Sequence, residues 1–161
     1  MQLYLIRHAD ALDSTDDFAR PLSARGHAQV ESLVRHFRAN DLLHPAEVWH
    51  SPLRRAQETA LGLAQGLGWK IRFRETDLLE PERDPELIAK RLKAVTQALA
   101  LVAHEPLLSA LGSLLVNGSP RPVVFEMRKG DVLALERPAP GGDGRWAEQW
   151  HLGPGQLGQD A

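Results

Sequence analysis

Cysteine is absent from the chain, which excludes disulfides, thiolate-bound zinc and a thiol nucleophile. The absence also suits a reducing compartment. No stretch approaches the ~18 consecutive apolar residues that span a bilayer. Directly after Met1 the chain enters a short apolar run, with none of the basic, hydrophobic and small-residue zones of a secretory leader. A cytoplasmic location without membrane association is therefore expected. Neither sign of charge is in excess: 19 Lys and Arg stand against 21 Asp and Glu, a net charge of −2. No overall basic field recruits nucleic acid, so any cationic site has to be local. The seven histidines include no H-E-x-x-H or similar paired spacing, and neither a metal nor any other cofactor is expected.

What is present is an alternation of apolar runs and amphipathic stretches. The 161 residues suit one domain, 1–161, with a loose Gly-, Gln- and Pro-rich tail from about 153. Leu3 to Ile6 reads as a strand buried on both faces. Residues 9–22 read as a polar loop. Ser23 caps a helix over 24–39, with Val30, Leu33, Val34 and Phe37 on its buried side. A strand at 46–50 leads to Ser51 as N-cap and Pro52 as first helical residue of a second helix, which Gly68 stops. A strand at 70–73, an acidic loop at 75–85 and a helix at 85–95 follow. The strand 98–103 runs into a helix beginning at Pro106. Later, 122–128 and 131–137 read as strands joined by Lys129-Gly130, Gly141 to Gly144 as a turn, and Trp146 to Leu152 as an edge strand. The expected fold is a three-layer α/β/α sandwich with a mostly parallel sheet and antiparallel strands late in the chain. The four tryptophans read as core and sheet-face residues.

Three junctions carry chemical side chains. Leu3-Tyr4-Leu5-Ile6 ends in Arg7-His8; Val48-Trp49-His50 runs into Ser51-Pro52-Leu53-Arg54-Arg55; Leu101-Val102-Ala103 runs into His104-Glu105-Pro106. In parallel α/β sheets, ligands bind outside the carboxyl ends of the strands. Three such ends on one edge would gather two histidines and two or three arginines. Arginine suits phosphate because its planar fork donates two hydrogen bonds at once. Basic residues in the first turn of a helix oppose the macrodipole, a hint of an anion nearby.

Leu5-Ile6-Arg7-His8-Ala9, Ser51-Pro52-Leu53-Arg54-Arg55-Ala56-Gln57-Glu58-Thr59 and Val102-Ala103-His104-Glu105-Pro106 resemble the signature segments of the histidine phosphatase superfamily, the phosphoglycerate mutase-like fold. Within it the chain is most similar to the small SixA-type phosphohistidine phosphatases. Arg20-Pro21-Leu22-Ser23 with Gly26, and Lys129-Gly130-Asp131, also look like that group. The resemblance implies that His8 is the nucleophile that becomes phosphorylated, with Arg7, Arg55 and His104 around the phosphoryl group and Arg20 as a further substrate contact. Arg54 does not match the motif and is expected to be peripheral. Ala9 stands where many members have glycine, as is common in the SixA-like group.

Phosphoryl transfer needs an in-line nucleophile and stabilised equatorial oxygens, which two arginines and a histidine can supply without metal. His8 has to attack as neutral imidazole, and neighbouring cations favour that form. Glu80, after Leu78-Leu79, is the candidate general acid, with Asp77 and Asp84 as alternatives. The intervals between motifs are short and leave little material for a lid. Together with the resemblance to the SixA-type group, this makes the expected substrate a phosphorylated protein bearing phosphohistidine, with inorganic phosphate as product. The alternatives are a small-molecule phosphomonoesterase acting on a sugar or nucleoside phosphate, and a non-catalytic phosphate-binding module.

Overall fold

The computed structural model describes residues 1–138 and 144–158. Its regular elements are β1 (Gln2–Arg7), α1 (Ala24–Asn40), β2 (Glu47–His50), α2 (Arg54–Leu67), β3 (Arg72–Glu75), α3 (Pro85–Leu92), β4 (Leu99–Ala103), α4 (Leu107–Asn117), β5 (Val132–Glu136) and β6 (Ala147–Leu152). The six strands form one sheet in the order β3-β2-β4-β1-β5-β6. β1 to β4 are mutually parallel, and β5 and β6 are antiparallel additions.

The period of two along each strand divides the core into two layers. Tyr4 and Ile6 of β1, with Val48, Ala100 and Val102, face Val30, Leu33, Phe37, Ala60 and Leu63 of α1 and α2. Leu3 and Leu5, with Leu99 and Leu101, face Ile88, Leu92, Leu107, Leu108 and Leu111 of α3 and α4. Both faces of β1 and β4 are thus buried, as their unbroken apolar runs require. β1 leads to α1 on one face and β4 to α4 on the other. The carboxyl ends of these adjacent strands therefore form a topological switch point, where a crevice opens.

Local chemistry fixes the helix ends. The Ser23 side chain accepts from the Gly26 amide and caps α1,. Gly68, at φ 69°, ends α2 in the left-handed conformation,. Gly26 has a second constraint: a Cβ there would lie 2.0 Å from the Asp10 carbonyl oxygen, so only glycine lets α1 start this close to the loop after β1.

Several expectations are corrected. Ser51 does not cap α2 and Pro52 is not helical; Leu53 is extended, and the helix begins at Arg54 without a side-chain cap. The Ser51 side chain is engaged elsewhere. The third strand lies at 72–75, where Glu75 pairs with His50, two residues beyond its expected span. The third helix ends at Leu92, short of the expected 95. Residues 122–128 are irregular instead of a strand, because β1 and β6 already occupy both edges of β5. The tail is not loose throughout: Pro154–Leu157 form a 3-10 turn, Pro154 is buried, and Leu157 packs on the α1 side of the sheet. The expected turn at Gly141 to Gly144 lies outside the described residues except for Gly144. No helix among the described residues is long and apolar enough to cross a membrane.

Candidate active site

The carboxyl end of β1 is tied down by backbone bonds from three directions. The Arg7 amide donates to the Asp131 carbonyl at 3.0 Å and the His8 amide to the Ala103 carbonyl at 3.0 Å. The Gly130 amide donates back to the His8 and Arg7 carbonyls, at 3.0 and 3.2 Å. Gly130 adopts φ +82°, which lets the turn bring its amide over the strand end. The Ala9 amide donates to Thr59 Oγ1 at 3.0 Å, and that hydroxyl donates to the Arg55 carbonyl at 2.8 Å. The nucleophile candidate is therefore fixed to β4, to the turn before β5 and to the first turns of α2.

His8 is buried and its Nδ1 lies 2.7 Å from the Ala9 carbonyl. A carbonyl accepts only, so Nδ1 carries the proton and Nε2 keeps its lone pair. Burial, followed by the charges of Arg55, Arg7 and Lys129, pushes the His8 pKa down to about 4, against the raising effect of the Ala9 bond. The ring is neutral at pH 7, with Nε2 unprotonated. The His104 ring lies 5.0 Å from it, centroid to centroid. Burial, then the influence of His8 and Arg55, lowers the His104 pKa to about 3, so His104 is neutral as well.

Both arginines are held by their distal nitrogens. Arg7 Nη1 donates to the Met127 carbonyl at 2.8 Å. Arg55 Nη1 donates to the Asp17 carbonyl at 2.8 Å and to Asp17 Oδ1 at 3.2 Å. Of five buried side-chain polar atoms without a partner among the described residues, three are Arg7 Nε, Arg55 Nε and His104 Nδ1. Buried polar atoms are almost always satisfied. Donors left over on three neighbouring cationic or imidazole groups suit an oxyanion.

The residues named from sequence distribute as follows. Arg7, His8, Arg55 and His104 are brought together. Arg55 lies on the buried side of α2 with Ala56 and Thr59, whereas Arg54 is turned out to an ion pair with Glu58 at 2.8 Å. Arg20 is occupied by the Leu12 carbonyl and by Asp17 and Asp13; it approaches the site through Asp17, which it shares with Arg55. Glu80 borders a cavity of about 470 Å³ together with Asp17, Phe18 and Leu53. Asp77 is paired with Arg83, and Asp84 caps α3. A concavity of about 480 Å³ between α1 and α2, lined by Val30, Val34 and Gly62, contains none of Arg7, His8, Arg20, Arg55, Glu80 and His104.

Sequence reasoning passed over several supporting residues. Asp10 accepts from Lys129 at 2.8 Å and from Ser23 at 2.6 Å, while its amide donates to Gln29 at 2.8 Å. This knot joins the loop after β1 to α1 and to the turn before β5. Thr59, four residues after Arg55, carried a readable signal, since positions i and i+4 share a helix face. Asp17 carried none, because its partner Arg55 is remote in the chain. No cluster of three or more His, Cys, Asp or Glu suited to a metal ion exists among the described residues.

Comparisons with known proteins bear on the family and the fold. No curated protein matches the chain. The structure of the protein histidine phosphatase SixA complexed with tungstate is similar over 98% of this chain and 99% of that one, with TM-score 0.84 and 22% identity. The alpha-ribazole phosphatase of Shigella flexneri covers 92% of this chain and 95% of its own at TM-score 0.74 and 18% identity. A mycobacterial glucosyl-3-phosphoglycerate phosphatase covers 92% and 96% at TM-score 0.68 and 17% identity. At these identities the shared property is the fold. The sequence model of the histidine phosphatase superfamily, branch 1, matches residues 3–84, and with the fold and the clustered His8, Arg7, Arg55 and His104 in place, the chain belongs to the histidine phosphatase superfamily.

Proposed function

We propose that the chain is a metal-independent phosphatase that passes the phosphoryl group through His8 and acts on phosphohistidine in a protein, releasing inorganic phosphate. One observation carries the reading: His8, oriented by the Ala9 carbonyl with Nε2 unprotonated, stands beside His104 and within the electrostatic reach of Arg7 and Arg55. Nε2 attacks phosphorus in line as the bond to the leaving imidazole breaks, and water then displaces the phosphoryl group from His8. Arg7, Arg55 and His104 stabilise the equatorial oxygens throughout.

A protein substrate is favoured by the surroundings of the site. Four exposed large apolar side chains, Leu12, Phe18, Val123 and Val124, lie in the segments flanking it. Phe18 borders the cavity of Asp17, and Val123 borders a cavity of about 440 Å³ with Arg7. The connection from β3 to α3 holds only one 3-10 turn, too little to enclose a small ester. The second reading, a small-molecule phosphomonoesterase, draws support from Glu80 beside Asp17, a carboxylate available to protonate an alkoxide,.

The test compares specificity constants on phosphohistidine proteins and sugar phosphates, together with rapid quenching and mass spectrometry. The expected result is an acid-labile phosphoryl group on His8 and a preference of at least ~10²-fold for the phosphohistidine protein, about 2.7 kcal/mol. An adduct on another residue overturns the mechanism. Better turnover of sugar phosphates, with Glu80 essential, transfers the assignment to the second reading.

A further inference from the structure

Ser51 is fully buried at the end of β2, in a position whose sequence suggests a helix cap. Its side chain does not serve α2. Two groups meet Ser51 Oγ: the Leu53 amide, at 3.1 Å, and His104 Nε2, at 2.8 Å. The Leu53 amide can only donate, so it takes one lone pair of the hydroxyl oxygen. The hydroxyl then has one hydrogen to give, and His104 Nε2 is its acceptor. The reverse arrangement, His104 donating from Nε2, would bury a hydroxyl hydrogen without an acceptor, which buried polar groups avoid. It would also turn the bare lone pair of His104 Nδ1 towards any bound anion. Nδ1 is buried and has no partner among the described residues. A phosphoryl oxygen needs a donor there, not an acceptor.

We propose that Ser51 is a positioning residue that fixes His104 in the Nδ1–H tautomer, so that His104 offers the phosphoryl group a neutral N–H donor. The inference rests on the phosphatase reading of the site. Ser51 does not touch the reacting atoms; it acts through His104. Its own place is set by the backbone, since the Ser51 amide donates to the Val102 carbonyl at 3.0 Å and its carbonyl accepts from His50 Nδ1 at 2.9 Å. β2 and β4 thereby hold the hydroxyl against the imidazole. His104 is consequently a donor that needs no protonation, which matches a ring kept neutral by burial.

The test reads the tautomer directly. Long-range 1H–15N correlation spectra of the ligand-free wild-type protein at pH 7.5 should give His104 a pyrrole-type Nδ1 and a pyridine-type Nε2. In Ser51→Ala the Nε2–H form should become populated, and kcat should fall about tenfold. That is less than the ~10²-fold loss of a whole oxyanion donor, because part of the Nδ1–H population remains. KM should change less than twofold. Ser51→Thr, which keeps the hydroxyl, should restore the wild-type tautomer and most of kcat. A wild-type His104 protonated at Nε2 overturns the proposal, as does a Ser51→Ala protein with unchanged tautomer. The wild-type spectrum decides the matter even if Ser51→Ala fails to fold. It is recorded without substrate, so its outcome is separate from the quench experiment on His8.

Discussion

Asp17 grips Arg55 with both its backbone and its side chain: Arg55 Nη1 meets the Asp17 carbonyl at 2.8 Å and Oδ1 at 3.2 Å, and Nη2 lies 3.5 Å from Oδ2. The two partners differ in setting. The Arg55 side chain is only 6% exposed and that of Asp17 is 59% exposed, so a deeply seated cation is held from the solvent side. Although burial raises it, Arg55 and Arg20 keep the Asp17 carboxyl below its ordinary pKa, and it is charged at neutral pH. Asp17 thus orients Arg55, and in the proposed reaction it also places a negative charge beside the phosphoryl group that Arg55 would meet.

These two roles separate by substitution. Asp17→Asn keeps an oxygen acceptor and removes the charge. Inhibition by vanadate should tighten about fivefold, ~1 kcal/mol, the scale of a partly exposed ion pair. The gain should shrink in high salt. Asp17→Ala retains only the backbone acceptor, and its kcat should fall below that of Asp17→Asn. Weaker vanadate inhibition in Asp17→Asn would mean that the carboxylate serves orientation alone.

Arg55→Lys should lower kcat/KM about 10²-fold, ~3 kcal/mol, because lysine retains charge but not the fork that meets Asp17 and an anion together. Arg54→Lys should be almost silent, since its partner Glu58 is a surface pair one turn away,. Steady-state kinetics of the two variants make the comparison. Equal losses would contradict the placement of Arg55 as the phosphate contact.

The two buried imidazoles make a prediction about acid. His8 and His104 have folded pKa values lowered to about 4 and about 3, whereas an unfolded histidine titrates near ~6.5. Above ~6.5 both states are neutral and nothing is lost. As pH falls from ~6.5 towards 4, the unfolded chain takes up protons that the folded protein refuses, so stability drops. The slope should reach about 1.4 kcal/mol per pH unit for each histidine. Urea denaturation at pH 7.5, 6 and 5 should record the decline, and His8→Asn should flatten it. Ring-proton NMR should find neither imidazole titrating between pH 8 and 5; titration of either near 6.5 would refute the burial account.

Exhaustive EDTA treatment should leave turnover unchanged. Under the proposed mechanism Arg7 and Arg55 supply the positive charge that a divalent ion would bring, and the Nε of each is a buried donor without a partner among the described residues. A collapse restored by Mg²⁺ or Zn²⁺ would contradict a metal-independent site.

Gly26→Ala should destabilise the protein by more than ~2 kcal/mol, measured by thermal or urea unfolding. The added Cβ would meet the Asp10 carbonyl oxygen, a backbone atom that cannot rotate away,. Because Asp10 anchors Lys129 and Ser23, catalysis should suffer too. A neutral effect would mean that the loop after β1 has more freedom than its contacts imply.

Much of the fold was legible because burial on both faces leaves a plain mark. Leu3 to Ile6 and Leu99 to Val102 are unbroken apolar runs, and each ends at the histidine that the sheet delivers to its edge. The features that escaped reading depend on partners distant in the chain. Val123, Phe125 and Met127 alternate as a strand would, yet pairing needs a free edge, and β5 has none. Ser51-Pro52 spells a helix cap, but the helix starts only at Arg54, and the Ser51 hydroxyl meets the Leu53 amide and His104 instead. Asp17 looked like one acid among several in a polar loop, and only the folded chain sets it against Arg55. The tail from Gly153 lacks a periodic pattern, so nothing announced that Leu157 would reach the core.

β1 lies in the middle of the sheet, and its two neighbours come from far along the chain: Leu3 pairs with Leu99 on one side and with Leu135 on the other. During synthesis the strand that bears His8 is made early and waits for both. Until β4 emerges, the His8 amide lacks the Ala103 carbonyl; until Asp131 emerges, the Arg7 amide lacks its acceptor. Such non-local pairings form slowly, because the loops they close must be ordered before the contacts repay it. A growing chain therefore holds no half-built phosphatase. His8 gains its backbone partners only when Ala103 and Gly130 have been made, so any activity that His8 carries depends on segments from the far end of the chain.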